Sequence, residues 1–340
     1  MTADGPARPS LLAIAGQWLL PSRTMRRRLL APAIGLGYIA LIGLLGGLRS
    51  DHVFVGLLGL LDLYNEKTRS FLRQFLPFIA TGAIYDSMRY FYWPAIAGRV
   101  HVAEPYLLER AWYGIDARTP NEWFLEHHWP ALDLACGFAY LVYVGEYLTV
   151  AVLFFLVRRF EAVRTLAWGF LVVNLLGFAT YFIYPAAPPW YVAEYGFGPA
   201  RLDVHSAAAA ASRFDELLAT HFFEQIYGRG VDVYGAYPSL HVAYPLMAAW
   251  VLFRFRELRW ARVPAVLFFL LMCLSAVYLQ HHYVIDVQLG IAYAIVSLVL
   301  VARVPALFAH RSAARASSAQ TDASGSSRAG VAVESRSASR

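Results

Sequence analysis

Six long apolar runs divide the chain, and they restrict it to folds that cross a lipid bilayer. A helix needs about 20 apolar residues to traverse the ~30 Å hydrocarbon core, and six segments come close to that length. They lie at roughly residues 29–48, 131–157, 164–184, 239–254, 262–280 and 284–303. Inside lipid every backbone polar group must be paired within the protein, and helices achieve this locally. The runs therefore predict an all-α, polytopic membrane helix bundle with six core transmembrane helices.

The balance of apolar and charged residues excludes a soluble globular protein. Hydrophobic residues make up 59% of the chain and charged residues 15%, whereas soluble domains carry about 25% charged residues. The formal net charge is +6, and the arginines that contribute to it cluster in short loops between the runs. Loops of this kind stay in the cytoplasm. We therefore interpret the charge as setting topology, and no nucleic-acid partner is expected.

The distribution of arginine predicts the orientation. Residues 23–28 contain four arginines, and the loops at 158–164 and 254–262 are also basic. The longer loops at 98–130 and 185–237 are net acidic. The positive-inside rule places the basic loops in the cytoplasm and the acidic loops outside. The protein is accordingly predicted to be integral to a bacterial plasma (inner) membrane, with its active site on the extracytoplasmic face.

A seventh segment, at residues 73–97, is long enough to span but carries Arg73, Asp86 and Arg89. It could cross the membrane or lie at its interface. A crossing here would place the basic 23–28 cluster outside. We therefore favour six core spans, with 73–97 packed at the outer face.

Three regions are predicted along the chain. Residues 1–28 form a cytoplasmic amino-terminal segment, and residues 29–303 form the transmembrane catalytic domain. Residues 304–340 are predicted to be a disordered cytoplasmic tail, because the end of the chain is rich in Ser, Ala and Arg and has few large apolar residues.

Two polar motifs stand at the starts of two apolar runs. One ends in His241, and the other contains His282 and Asp286. Ionisable residues at membrane depth are costly and are functional candidates. Residues four apart on a helix share a face, so Asp286 could orient the His282 ring and leave its other nitrogen free to attack.

The motif at His241 has the features of a helix start that binds phosphate. Pro238 is favoured at the first helical position, and free amides at such a position attract anions. Ser239 adds a hydroxyl donor, and His241 beside a bound phosphate could protonate the leaving oxygen. The plainer alternative is that the histidines only satisfy buried polar groups. Two motifs at matching depth favour phosphoryl transfer.

These motifs resemble those of the type 2 phosphatidic acid phosphatase (PAP2) superfamily, Pro-Ser-Gly-His and Ser-Arg-x5-His-x3-Asp. The spacing is kept at 238–241 and 275–286, but Leu240 replaces Gly and Ala276 replaces Arg. The first superfamily motif, Lys-x6-Arg-Pro, is not recognisable. With Pro185-Ala-Ala-Pro-Pro-Trp-Tyr, the pattern is similar to the inositol phosphorylceramide synthase branch.

The resemblance implies a nucleophile at His282, an orienting carboxylate at Asp286 and a general acid at His241. It also implies a lipid phosphotransferase that moves a phospho-headgroup, phosphoinositol in first place, from a phospholipid donor to a ceramide-like alcohol. Water attacking the same phosphohistidine would make the enzyme a lipid phosphate phosphatase, which is the alternative. A non-enzymatic lipid-binding or scrambling protein is the alternative of a different class.

The departures from the superfamily motifs remove the Lys and the Arg of the first motif and the Arg of the third, although phosphoryl transfer needs positive charge around its oxygens. Arg89 and Arg201 are the candidate replacements, and the alternative for Arg89 is a helical ion pair with Asp86, three residues before it. Ser239, Tyr237 and Tyr278 complete the predicted substrate-binding set, and Tyr278 could instead pack. No metal or cofactor is expected, because the histidines lack acidic or thiol partners at ligand spacing. The oligomeric state is left open.

Overall fold

The computed structural model describes residues 23–63, 66–228, 230 and 233–303. These residues form two compact units, one ending at Ser87 and the other beginning at Met88. The predicted tail at 304–340 and most of the predicted amino-terminal segment lie outside the described residues. A single transmembrane domain over 29–303 stays a prediction.

In the first unit, the described residues form three α-helices and one 3-10 turn. They are α1 (Arg23–Leu44), α2 (Ser50–Leu57), the 3-10 turn Leu58–Leu63 and α3 (Glu66–Ser87). Glycine allows α1 and α2 to approach closely, since a Cβ on Gly35 would overlap the Gly56 carbonyl. Ionic contacts join α2 to α3. Asp86 of α3 contacts His52 of α2 and lies 2.9 Å from Arg49, the residue before α2.

The second unit begins with short helices and continues into long apolar ones. The short helices are α4 (Tyr92–Ile96), α5 (Ala103–Tyr113) and α6 (Pro120–Glu126). Then follow α7 (Pro130–Leu156), α8 (Phe160–Ile183), α9 (Pro189–Tyr195), α10 (Ser212–Leu218), α11 (Phe222–Tyr227), α12 (Leu240–Arg254), α13 (Arg262–Tyr278) and α14 (Val284–Arg303). Short 3-10 turns lie at Met88–Tyr90, Ala209–Ala211 and Arg259–Ala261.

The structure confirms the all-α class and the integral membrane character. Among the described residues, four helical stretches are long and apolar enough to cross a membrane: Pro130–Leu156, Phe160–Ile183, Arg259–Tyr278 and Val284–Arg303. The other two predicted spans form shorter apolar helices, Leu29–Leu44 and Leu240–Arg254. At about 1.5 Å per residue, the second of these is shorter than the hydrocarbon core.

The 73–97 segment does not form one continuous helix. It is divided between α3 and α4 by the 3-10 turn Met88–Tyr90. Helix α3 is also not among the candidate spans of the described residues. The segment therefore does not supply a seventh continuous span, and its position at the outer face stays a prediction.

The core of the second unit is a bundle in which α12 contacts α7, α8 and α13. Helix α14 is joined to α8 by a hydrogen bond between the hydroxyls of Tyr293 and Thr180, 2.7 Å apart. The long helices keep large apolar side chains exposed, including Phe138, Trp168, Ile183, Phe253, Leu267 and Ile295. Such a surface suits contact with lipid.

Candidate active site

The two predicted histidines meet between α12 and α14. His241 is the second residue of α12, and His282 lies in the short loop between α13 and α14. Nδ1 of His241 is 3.0 Å from Nε2 of His282. The sequence motifs, 41 positions apart, are thus brought into direct contact by the fold.

The other ring nitrogen of His282 is held by two acceptors. Nδ1 lies 2.9 Å from the carbonyl oxygen of Ala236 and 3.3 Å from Oδ2 of Asp286. Because both partners accept, Nδ1 carries the proton and Nε2 presents its lone pair to His241. The tautomer expected for a nucleophile is therefore fixed, with the Ala236 carbonyl as its nearer partner.

The geometry differs from a shared helical face. His282 precedes α14, whereas Asp286 lies in its first turn. Oδ2 of Asp286 also accepts a hydrogen bond from the Tyr283 N–H at 2.9 Å, as a side chain near a helix start does in a capping box. Asp286 is fully buried. The loop-to-helix turn, rather than a helical repeat, places this carboxylate beside the imidazole.

A second carboxylate, Glu109 of α5, closes the start of α14. It is fully buried, and its oxygens accept hydrogen bonds from the N–H groups of Val284 and Ile285 at 2.8 and 3.2 Å. Burial raises the pKa of Glu109, and the two backbone hydrogen bonds oppose that rise. The amino terminus of α14 is thereby already occupied by carboxylates and is not open to a phosphate.

The amino terminus of α12 is different. Ser239 is its N-cap residue, but the Ser239 side chain makes no capping hydrogen bond. The first amides of a helix have no intrahelical partner, and they carry the positive end of the helix dipole. The Ser239 hydroxyl is buried and has no hydrogen-bond partner among the described residues. Beside His241, this helix start is thus free to receive an anion.

Two glycines let the catalytic segments approach each other. A Cβ on Gly290 of α14 would overlap the Ser239 carbonyl oxygen, and a Cβ on Gly177 of α8 would crowd the Leu240 side chain at 3.0 Å. The Ser239 N–H donates to the Asp286 carbonyl at 3.0 Å. Leu240, which departs from the superfamily motif, therefore packs onto a glycine of the neighbouring helix.

The loop that carries His282 is fixed by polar residues from distant segments. Asn121 of α6 donates to the carbonyls of Val277 and His282 at 2.9 and 3.0 Å. Gln280 donates to the Asn121 carbonyl at 2.8 Å. Sequence reasoning missed both Asn121 and Glu109, because neither belongs to a motif or an apolar run. A polar residue that becomes buried is recognisable only once the fold is known.

Burial determines the charge of the catalytic loop. It lowers the pKa of His282 to about 4, against the smaller opposing effect of the Ala236 hydrogen bond. It also lowers the pKa of His281 to about 3. Both imidazoles are therefore neutral near pH 7, which is the form in which His282 can act as a nucleophile.

Aromatic rings form one wall of the site. Tyr140 stacks on His241 with ring centroids 4.4 Å apart, and Tyr143 lies 4.6 Å from the same ring. Tyr140 also stacks on His281, with ring centroids 5.1 Å apart. His281 in turn stacks on Tyr227 at 4.5 Å. No motif in the sequence selects Tyr140, Tyr143 or Tyr227.

The predicted binding residues Tyr237 and Tyr278 have different surroundings. Tyr237 is buried, and its hydroxyl has no hydrogen-bond partner among the described residues. Burial is the main cause that raises the pKa of Tyr237, and the negative charge of Asp286 raises it further. Tyr278 donates to Asp133 at 2.8 Å and lies under the Arg213 guanidinium. The described contacts of Tyr278 are thus structural ones, away from both histidines. Substrate binding by either tyrosine stays a prediction.

The two predicted arginines do not share a described contact with the histidines. Arg201 has an exposed side chain that lies 3.2 Å from Asp203 and over the Tyr195 ring. Arg89 is half-buried in the 3-10 turn that precedes α4. Their proposed contact with the phosphate stays a prediction. Among the described residues, no group of three or more His, Cys, Asp or Glu side chains is arranged to hold a metal ion.

Comparison with known proteins identifies the family of the chain. The family model described as the PAP2 superfamily matches residues 106–300, the part of the chain that contains the site. A phosphoinositol dihydroceramide synthase from Bacteroides thetaiotaomicron is 37% identical over 258 residues, covering 73% of this chain and 83% of the relative.

Two fungal relatives match over shorter stretches. An inositol phosphorylceramide synthase from Candida albicans is 29% identical over 160 residues, 46% of this chain and 33% of the relative. The catalytic subunit of the Saccharomyces cerevisiae inositol phosphorylceramide synthase is 33% identical over 122 residues, 35% of this chain and 29% of the relative. The chain thus spans about a third of the fungal relatives' length. No solved structure matches the chain. The family match over residues 106–300 and the similarity to the bacterial synthase over most of both chains lead to one conclusion: this chain is an enzyme of the PAP2 superfamily.

Proposed function

We propose that the protein transfers phosphoinositol from a glycerophospholipid to a ceramide-type lipid alcohol through a phosphohistidine at His282. The single observation that carries the chemistry is the 3.0 Å contact between Nε2 of His282 and Nδ1 of His241. With Nδ1 of His282 donating to Ala236 and Asp286, the hydrogen of the contact belongs to His241. One ring thus presents a lone pair and the other presents a proton.

The first step uses both atoms. Nε2 of His282 attacks the phosphorus, a P–N bond forms, and the P–O bond to the diacylglycerol oxygen breaks. His241 enters this step as an imidazolium, with a proton on each nitrogen, and its Nδ1 proton passes to that oxygen. Diacylglycerol leaves as a neutral alcohol, and His241 becomes a neutral imidazole that keeps its Nε2 proton. The imidazole of His282 becomes cationic, and Asp286 at 3.3 Å stabilises that charge.

The second step reverses the roles. His241 now has a bare Nδ1, which accepts the proton of the incoming lipid hydroxyl as its oxygen attacks phosphorus. The new P–O bond forms while the P–N bond breaks, and His282 returns to its neutral form. The headgroup remains bonded to phosphorus throughout, and only the two lipid alcohols exchange.

Positive charge for the phosphoryl oxygens is proposed to come mainly from α12. Its first amides lack intrahelical partners and are not capped by Ser239, whose buried hydroxyl has no hydrogen-bond partner among the described residues. Such a helix start can bind a phosphate. The position that is Arg in the superfamily motif is Ala276 in this chain, and it is fully buried within the core. This position therefore supplies no positive charge. Arg89 and Arg201 remain the proposed additional cations.

The names of the relatives favour transfer over hydrolysis. The bacterial relative is a phosphoinositol dihydroceramide synthase, and the fungal relatives are inositol phosphorylceramide synthases. We infer the same class of donor and acceptor here. We also propose that the histidine end of the bundle faces the extracytoplasmic side of a plasma membrane, because the positive-inside rule favours a cytoplasmic position for the basic loops.

The test uses purified full-length protein in proteoliposomes with inositol-labelled phosphatidylinositol and a ceramide or dihydroceramide. We expect a new labelled lipid whose formation depends on the acceptor, and its loss in His282→Asn. Exposed His205 lies outside the motifs, and His205→Asn serves as the matched control that retains activity. Release of water-soluble inositol phosphate without a new lipid would instead support the phosphatase.

A further inference from the structure

His281 is a buried histidine that the two proposed steps leave unused. Its side chain is 6% exposed and lies between the rings of Tyr140 and Tyr227, with interplanar angles of 16° and 6°. The ring also donates a hydrogen bond to the backbone carbonyl of Ala208. Packing on both faces and one polar anchor fix the orientation of the imidazole.

One nitrogen of this ring has nothing to bind among the described residues. Nε2 is buried without a hydrogen-bond partner, so Nδ1 is the atom that donates to Ala208. A neutral imidazole with its proton on Nδ1 presents a lone pair at Nε2. Nε2 is therefore a buried acceptor, and buried acceptors without a partner are uncommon enough to need an explanation.

The position of His281 relates it to the reacting atoms. It adjoins His282 in sequence, and a single ring, Tyr140, stacks on both His281 and His241. Its other contacts, Ala208 and Tyr227, come from the segments between α9 and α12, outside the membrane-spanning helices. His281 thus lies beside His241 and His282, next to the segments between α9 and α12.

We propose that Nε2 of His281 accepts a hydrogen bond from a ring hydroxyl of the polyol headgroup attached to the phosphorus. The inference rests on the proposed function. In that reaction the headgroup stays bonded to phosphorus through both steps, while the lipid alcohols enter and leave from the membrane. A polyol offers many hydroxyl donors. Because Tyr140 and Tyr227 cover the faces of the His281 ring, a hydroxyl can reach this residue only at the ring edge, where Nε2 lies. His281 would thus contribute to headgroup specificity.

The test measures binding, so that it does not require turnover. Full-length protein in detergent is titrated with inositol 1-phosphate and, separately, with inorganic phosphate. Two variants separate the ring nitrogens, because Asn keeps a donor near the Nδ1 position and Gln keeps an acceptor near the Nε2 position. His281→Phe retains the flat ring between the tyrosines and removes both nitrogens.

We expect His281→Asn and His281→Phe to raise the Kd of inositol 1-phosphate about tenfold, the size of one lost hydrogen bond to a buried group. The Kd of inorganic phosphate should be unchanged, and His281→Gln should stay within about threefold of the natural protein. Equal weakening of both ligands, or no weakening, would overturn the inference. So would an effect confined to the KM of the ceramide acceptor, which would assign the hydroxyl to that lipid. Failure of the proposed function is a separate result, namely no labelled lipid from the natural protein.

Discussion

Replacing Asp286 by Asn separates two roles that a carboxylate beside a catalytic histidine can have. One role is to hold the imidazole in the tautomer that leaves Nε2 bare. The other is to stabilise the cationic ring after phosphorus has bonded to it. In this structure the Ala236 carbonyl, at 2.9 Å from Nδ1, is nearer than Asp286 at 3.3 Å. The tautomer should therefore survive the substitution, and the lost activity should report the charge alone.

The distance sets the size of the effect. Two unit charges 3.3 Å apart interact by about 5 kcal/mol at an effective dielectric constant of about 20. At 1.36 kcal/mol for each factor of ten, this value corresponds to a loss of up to about 5,000-fold in kcat. Asn can still accept the hydrogen bond from the Tyr283 N–H, so we expect Asp286→Asn to fold normally.

The assay is a single-turnover measurement of label transfer from phosphatidylinositol, with His282→Asn defining the background. Glu109→Gln is the matched control, because Glu109 is a buried carboxylate that contacts backbone N–H groups rather than the imidazole. We expect Asp286→Asn to remain measurably above background and to lose more activity than Glu109→Gln. Activity within tenfold of the natural protein would refute the electrostatic role. A loss equal to that of His282→Asn would show that the tautomer depends on Asp286 after all.

Three further outcomes follow from the same site. Because burial lowers the pKa of His282 to about 4 and the neutral ring is the nucleophile, kcat/KM should be constant from pH 7 down to about 5 and fall as the pH passes through 4. An acid limb near pH 6.5 would contradict this. Gly290→Ala should lower the Tm and the activity, since its methyl group would overlap the Ser239 carbonyl and overpacking costs about 1–3 kcal/mol. Gly145→Ala, which meets no atom within 4 Å, should leave both unchanged. Asn121→Ala should cost about 1–3 kcal/mol in thermal unfolding for each buried carbonyl left unpaired and reduce kcat more than it changes KM, whereas an unchanged kcat would argue against its support of the catalytic loop.

Much of the fold was predictable because its signals are local. The predicted run at 131–157 is the helix Pro130–Leu156, and the run at 284–303 is Val284–Arg303. Hydropathy over about 20 residues suffices to predict such helices in lipid. The break at Met88–Tyr90 was harder to predict, because charged side chains there were compatible with either a span or an interfacial helix.

The catalytic atoms were predictable only as residue types. The motifs Pro-Ser-x-His and His-x-x-x-Asp indicated His241, His282 and Asp286. The four-residue spacing of the last two predicted that they share a helix. The structure places His282 before α14 and gives its Nδ1 a backbone partner, Ala236. A carbonyl oxygen has no residue identity, so no sequence pattern could have indicated it.

The sequence by itself therefore determined that the chain is a membrane helix bundle and indicated the candidate catalytic side chains, because hydropathy and short motifs are encoded by neighbouring residues. Only the tertiary structure decided which nitrogen of His282 is free, which helix start stays open to phosphate, and which residues support the site. Glu109 reaches Val284 across 175 positions, and Asn121 reaches His282 across 161. Contacts at such separations depend on how helices pack against each other, and that packing leaves no local trace in the chain.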